Sequence, residues 1–402
     1  MAVRGVYSDD EKRNLEAWGK RAEERTGWQK PEGGRFGGMG DSRVVTLDQI
    51  KKYGYDTDKW NPFWYMEGYA QVSRWGGIIA HPWFGSSFKP GEEMMPTPKT
   101  QWRSFYLMGH DIEGYQPIRP GDLIKTFAKK PHLEDSTDLS GKGPRKWRYI
   151  DGWGDLINQR NEIVYKITEL VEVTSWESQD DMAKEKWMAD YGYTQQELQF
   201  MAKTIDAEKP RGGEIRYWED TKVGDKLQQI CWGPTEFSPL INRDGPPNLN
   251  EVAKRKLTPY EEQTGGPIMF GYVTDKKTGL AYPTHGGRHN WDRTAQAEGG
   301  SRAWIYNFES RLPMTRCVTN WMGDDAFLCK FSWRHVWRTP VGDTFFVHGK
   351  VAKKYEVDGE HMVDVNVYCL NLRGSITDMA NGTIKLVSRT ENFPGAVKVI
   401  NR

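Results

Sequence analysis

The sequence predicts an α+β chain made of two similar halves. Two observations carry this. Proline, then Gly-Asp, then alternating apolar residues occur twice, as "QPIRPGDLIKTFAKK" at 116–130 and "VWRTPVGDTFFVHGKVAKK" at 336–354. A strand, an Asn-x-Arg turn and a second strand also occur twice, as "GDLINQRNEIVYKITELVEV" at 154–173 and "VNVYCLNLRGSITDMANGTIKLV" at 365–387. The echoes keep their order and lie a little over 200 residues apart. One fold is therefore used twice, and the chain is not a short-period repeat array.

The elements follow in order. Residues 1–44 read as an N-terminal extension, a short helix and then the glycine-rich loop "KPEGGRFGGMGDS". The first half spans 45–175. It opens with a helix over 62–75, "PFWYMEGYAQVSRW", with Asn61 as cap and Pro62 in the first turn. Gly76 and Gly77 then allow a tight turn toward a sheet. Gly-Asp after a proline launches the next strand, and the Asn-x-Arg turn closes a hairpin. Residues 176–212 read as a connecting helix ending near Pro210 and Gly212. The second half spans 213–402 and opens with a strand and turn at 216–227. Its helix is expected at 289–300, "HNWDRTAQAEGG". Trp64 and His289 each stand six residues before an alanine, Ala70 and Ala295, where a small side chain lets a sheet wrap closely.

Composition excludes several classes. With 56 basic and 55 acidic side chains there is no electrostatic footprint for nucleic acid and no polybasic membrane patch. No apolar run reaches membrane-spanning length, and the charged N-terminus is neither signal peptide nor anchor. Cys231, Cys317, Cys329 and Cys369 form no CxxC pair and read as buried thiols in a reducing compartment. A cytoplasmic protein is expected. The 18 tryptophans serve core packing or wall a pocket for a bulky ligand.

Several segments, in order over roughly 45–390, resemble the MaoC-like acyl dehydratases and enoyl-CoA hydratases, the group with an N-terminal dehydratase-type half. They are "DKWNPFWYMEGYAQVSRWGGIIAHPWF", "PIRPGDLI", "NQRNEIVYK", "RGGEIRYWEDTKVGDKL" and "TNWMGDDAFL". The resemblance implies a double hot-dog: two antiparallel sheets, each wrapped around a central helix, with the halves side by side so that their sheets join. It also implies an acyl-CoA thioester between the halves and reversible addition of water to a 2-enoyl-CoA. CoA is part of the substrate, and no separate cofactor or metal is implied. Hot-dog proteins often pair, so a homodimer or higher homo-oligomer is expected.

Such chemistry needs donors for the charge that develops on the thioester oxygen, a base for water and an acid for C2. The family's active half supplies these with Asp-x-Asn-Pro-x-His. In the first half the corner survives as Asn61-Pro62, Asp58 stands one residue too far upstream, and Trp64 replaces the histidine. Asp58 is a base, caps a turn or lies in solvent, and Tyr65, the nearest titratable neighbour, is a proton donor or a packed aromatic. In the second half His289 fits the motif histidine, Thr284 falls on the aspartate position and Asn-Pro is absent. His285 is adjacent, and Asp292 lies about one helical turn after His289. Aligning Asp292 with the usual His-x-Asp would shift His289 by one, and both alignments stand. His289, Asp292, His285, Asp58 and Tyr65 are thus the candidate catalytic residues. Asn61, Trp64, Gly76, Gly77 and His81 are the candidate substrate-binding residues. Trp60, Trp64, Trp75 and Trp83 are candidates for a pocket wall that suits a bulky or aromatic acyl group. His81 and His110 face the cleft or are hydrogen-bonded structural residues. Because neither half has the complete motif, a non-catalytic acyl-CoA-binding subunit of a heteromeric dehydratase stays open. So does a thioesterase or other lyase on the same scaffold.

Overall fold

A computed structural model of the chain describes residues 2–24, 26–28, 42–88, 103–175, 193–233, 270–274, 281–285, 310–337, 339 and 343–390. Helix α1 (Asp9–Glu24) packs Trp18 and Ala22 against Tyr149 and Val171 of the first half's sheet. Arg145 binds Glu11 at 2.7 Å and fastens its start. The short strands β1 (Gly27–Trp28) and β2 (Ser42–Val44) follow. Helix α2 (Leu47–Asp58) has a capping box in which Thr46 and Gln49 satisfy each other's backbone N–H.

The sheet is one antiparallel surface of 12 strands. The first half contributes β3 (Arg103–Gly114), β4 (Leu123–Ala128), β5 (His132–Asp135), β6 (Arg145–Ile157) and β7 (Ile163–Ser175). After helix α4 (Gln195–Asp206, preceded in the first half by the single turn α3, Glu67–Ala70) comes β8 (Ile230–Trp232). A separate hairpin pairs β9 (Phe270–Thr274) with β10 (Ala281–His285). Helix α5 (Arg311–Met322) precedes β11 (Phe327–His335), β12 (Phe345–Val357), β13 (Glu360–Asn371) and β14 (Ile376–Lys385). Along the sheet the order is β1-β4-β6-β7-β3-β11-β14-β13-β12-β8. The halves meet where β3 pairs with β11, with His110 opposite Trp333.

The hairpin echo in the sequence forms matching turns. Gly121, at φ 90°, turns the chain into β4, and Asp343 stands two residues before β12. Both hairpins are closed by the same device. Asn158 Oδ1 accepts from the backbone of Arg160 and Glu162, each at 3.0 Å. Asn371 Oδ1 accepts from Arg373 at 3.0 Å and Ser375 at 2.9 Å. Such Asx turns tolerate the left-handed residue each hairpin needs, Asn161 in one and Gly374 in the other.

Every residue of α5 except Leu312 is buried, and the second half's strands curve around it. One apolar core runs across the seam, joining Phe63, Trp64 and Trp83 of the first half to Met314, Val318 and Phe331 of the second. Burial of this kind is the dominant favourable term in folding.

Two expectations need correction. The segment 62–75 is not one helix: Pro62–Trp64 is a 3-10 turn, and Tyr65 leaves helical geometry at φ −145°. Only the single turn α3 follows. Asn61 caps the 3-10 turn by accepting from Phe63 N, and the deep seating of Trp64 then takes precedence over helical continuity. The segment 216–227 is not a strand. It makes isolated bridges, Tyr217 with Val387 and Lys226 with Lys350, a bond from Gly224 N to the Val351 carbonyl at 2.9 Å, and turns between them. The sheets of the two halves join into one continuous sheet, as the resemblance implied. The second half's described buried helix is α5, whereas 289–300 lies outside the described residues. The connecting helix is seen as α4, with 176–192 also outside them.

Candidate functional site

A cleft opens at the seam, between the Asn61-Pro62 corner of the first half and the last turn of α5. Phe63, Trp64, Tyr165 and Phe327 form aromatic walls, and Asn61 and Asp324 are among its polar residues. Its free space takes about one water molecule.

The corner is built locally. Asn61 accepts from Phe63 N at 3.1 Å, and this leaves its amide free to reach Asp324 Oδ1 at 3.5 Å. Trp64 then turns inward, with its ring centroid 5.2 Å from that of His81. It lies so close to α2 that a Cβ on Gly54 would come within 2.6 Å of the Trp64 Cβ. Trp64 Nε1 donates to Asp58 Oδ2 at 3.4 Å.

Asp58 is 2% exposed, and its Oδ1 has no hydrogen-bond partner among the described residues. Burial raises its pKa from 3.8 to about 6, against the lowering pull of Arg316 and the Trp64 hydrogen bond. Arg316 binds Glu208, with Nη2 donating to Oε2 at 2.7 Å, and Asn320 donates to the same carboxylate at 3.0 Å. Burial raises the Glu208 pKa as well, opposed by Arg316. Asp58 therefore belongs to a buried charge cluster where α2, α5 and the chain after α4 meet. It is not among the residues lining the cleft.

Asp324 lies just past α5, where Gly323 leaves the helix at φ 78°. Its Oδ2 accepts from the Tyr69 hydroxyl at 3.0 Å, and its backbone carbonyl accepts from Trp75 Nε1 at 2.8 Å. Burial raises its pKa from 3.8 to about 6, with Tyr69 and Asn61 pulling down and Asp325 pushing up. Burial and Asp324 push Tyr69 up to about 12. Asp325 accepts from Arg74 N at 2.7 Å. These bonds fasten the first half's corner to the end of the second half's helix.

The remaining expected residues are dispersed. His81 is buried, and desolvation and Arg311 push it down to about 3, so it is neutral near pH 7. Its Nδ1 accepts from Trp83 N at 3.2 Å. Tyr65 donates to the Lys59 carbonyl at 2.8 Å and stacks edge-on against Tyr55, away from the cleft. Gly76 and Gly77 form the expected turn at φ 66° and 159°. His110 is held between Glu169, at 3.2 Å, and Arg311. Of the four tryptophans proposed as a wall only Trp64 lines the cleft. Trp60 is exposed, Trp75 binds Asp324, and Trp83 is fully buried with Nε1 donating to Thr315 at 2.8 Å. His285 ends β10, where its backbone pairs with Phe270. His289 and Asp292 lie outside the described residues.

Sequence reasoning missed Asp324, Tyr69 and Arg316. In the sequence "TNWMGDDAFL" stands out only as a family segment. The signal in it was two adjacent acids directly after a helix of mixed apolar and polar residues, a place where the helix dipole gives a carboxylate no support. No cluster of His, Cys, Asp and Glu suited to a metal occurs among the described residues. Nor, among them, is any helix long and apolar enough to cross a membrane.

No family model matches the chain, and no curated protein matches it. Solved structures do. A MaoC-like dehydratase aligns with 91% of this chain and 100% of its own, at 14% identity and a TM-score of 0.55. A MaoC-like dehydratase from Phytophthora capsici aligns with 87% of this chain and 95% of its own, at 10% identity and a TM-score of 0.43. A double-hotdog protein from Mycobacterium tuberculosis aligns with 86% of this chain and 93% of its own, at 11% identity and a TM-score of 0.44. At such identities the likeness is one of fold, and the first alignment spans nearly the whole chain. The resemblance read from the sequence, to MaoC-like dehydratases, is thus borne out at the level of the fold by the first of these.

Proposed function

We propose that this protein is a hydro-lyase that adds or removes water on a CoA thioester of the 2-enoyl-CoA or 3-hydroxyacyl-CoA type, with a bulky or aromatic acyl group. The observation that carries the reading is the seam cleft: aromatic walls, room for about one water, and a buried carboxyl with a pKa of about 6. A carboxyl in that range can hold or release a proton near neutral pH, as water activation requires.

The chemistry sets the roles. As water attacks C3, electron density moves to C2 and the thioester oxygen, where backbone N–H groups can hold it. In the second half His289, with Asp292 and His285, is assigned to proton transfer. In the first half Asn61 and Trp64 shape the cleft. CoA arrives as part of the substrate and no further cofactor is needed. The chain acts in the cytoplasm as a homo-oligomer.

A binding subunit remains the second reading, and one observation favours it. Asp58, the first half's only counterpart of the motif aspartate, lies in a buried charge cluster and does not line the cleft. The purified chain is to be incubated with aliphatic and aromatic enoyl-CoA and 3-hydroxyacyl-CoA thioesters, and mass changes of one water followed. Gain or loss of water from any of them is expected. Thioester binding with no mass change would replace the hydro-lyase with the binding subunit. Release of free CoA thiol would indicate a thioesterase.

A further inference from the structure

The sequence treats the first half's corner as a degenerate site, because Trp64 stands where a histidine is expected and Asp58 is displaced. The structure offers a different acid there. Asp324 comes from the second half, lines the first half's cleft and approaches the same Asn61 that the sequence singled out.

Asp324 and Asp325 are adjacent, but their settings differ. Asp325 accepts from a backbone N–H, Arg74 at 2.7 Å, which fastens the two halves. The carboxyl of Asp324 has two neutral donors, Tyr69 at 3.0 Å and a long contact to Asn61 at 3.5 Å. Among the described residues no lysine or arginine forms an ion pair with it. Around it, Arg211 and Glu214 approach Gly323, Arg74 stacks over Trp75, and Arg119 binds the Trp75 carbonyl. A joint that only held the halves together would need nothing more than the Asp325 contact and the Trp75 bond to the Asp324 carbonyl. A weakly compensated carboxyl beside space for one water is instead suited to taking a proton from that water.

We propose that Asp324 is the proton-transfer residue of a second thioester site in the first half's cleft, with Asn61 orienting the water and Tyr69 positioning the carboxyl. This rests on the hydro-lyase reading. An Asp324 oxygen takes a proton from water as the water oxygen bonds to C3 of the enoyl thioester. The C2=C3 π pair moves to C2 and the thioester carbonyl. The proton then passes from Asp324 to C2, which regenerates the carboxylate with one water added.

The test uses the full chain carrying His289→Ala, so that turnover reports the first half's cleft. The reactive probe is cinnamoyl-CoA and the unreactive one is hydrocinnamoyl-CoA. Residual hydration should fall about 100-fold in kcat on adding Asp324→Asn, with little change in KM, and recover in part with Asp324→Glu. Its acid limb should lie near the Asp324 pKa of about 6 and move upward in Tyr69→Phe, because the Tyr69 hydroxyl lowers that pKa. Residual turnover indifferent to Asp324→Asn, or abolished by His289→Ala alone, would overturn the proposal. If Asp324→Asn fails to fold by circular dichroism, an acid limb unmoved in Tyr69→Phe overturns it. Calorimetry of hydrocinnamoyl-CoA binding at pH 6, in two buffers of different ionisation heat, separates this proposal from the hydro-lyase reading. Wild type should take up a proton on binding and Asp324→Asn should not. That result without any turnover sinks the hydro-lyase and keeps Asp324 as the proton carrier. Equal uptake in both proteins sinks Asp324, and no binding sinks both.

Discussion

Replacing Asp58 with asparagine should stabilise the fold at neutral pH and leave it nearly unchanged in acid. The carboxyl is buried, its Oδ1 has no hydrogen-bond partner among the described residues, and its pKa rises from 3.8 to about 6. A raised acid pKa means that the native state holds the proton more tightly than the unfolded chain does. Below pH 3.8 both states are protonated and there is no penalty. The penalty grows as pH climbs from 3.8 to about 6 and is complete above that. At ~1.4 kcal/mol for each tenfold, a rise from 3.8 to about 6 corresponds to about 3 kcal/mol of lost stability at pH 7.5. Asparagine keeps the shape and can still accept from Trp64. Urea melts at pH 7.5 and pH 4 measure the difference, whereas guanidinium would screen the Arg316 and Glu208 charges. The variant should gain up to about 3 kcal/mol at pH 7.5 and much less at pH 4. Equal effects at both pH values, or a loss of stability at pH 7.5, would refute burial as the cause.

Arg316→Ala should cost about 3–5 kcal/mol, because it strands the Glu208 carboxylate and removes the Asp58 counter-charge, and urea melts would read it. Gly54→Ala should destabilise by about 1–3 kcal/mol, since its Cβ meets Trp64 at 2.6 Å, and a thermal melt with unchanged stability would contradict that packing. The thiols of Cys231 and Cys317 are pushed to about 12 and that of Cys329 to about 11, in each case mainly by burial. Cys369 is raised well above the usual range, also by burial. Iodoacetamide at pH 8 should therefore label the folded chain slowly at all four and the urea-unfolded chain rapidly, as mass spectrometry would show.

The sheet was legible in the sequence because its signals are local. An Asn that binds two backbone N–H groups in its own turn closes a hairpin wherever it stands, and Asn158 and Asn371 do so identically. The helices were less legible because tertiary contacts decided them. The helical spacing over 62–75 is real, but Tyr65 breaks it so that Trp64 can be buried against His81 and α2. Helix α5 carries Arg311, Arg316 and Asn320 on faces that periodicity would assign to solvent. Each is buried because a partner from elsewhere in the chain meets it, Glu208 for Arg316 and Asn320, His110 for Arg311. No local pattern encodes those meetings.

The site follows the same logic. Asn61 and Trp64 were readable because a cap beside a misplaced tryptophan stands out within seven residues of Asp58. Asp324 was not, since what distinguishes it is a neighbourhood 255 residues away in sequence, at Tyr69. A carboxyl acquires a raised pKa from its surroundings, and those exist only once the end of α5 meets the Asn61 corner. Doubling a fold makes such crossings available. The end of α5 meets the first half's corner across the seam, so a residue lost from one motif can be supplied by the other half. On this argument the first half's missing histidine is weak evidence that the cleft beside it is inert. The stronger evidence is whether the proton count on thioester binding depends on Asp324.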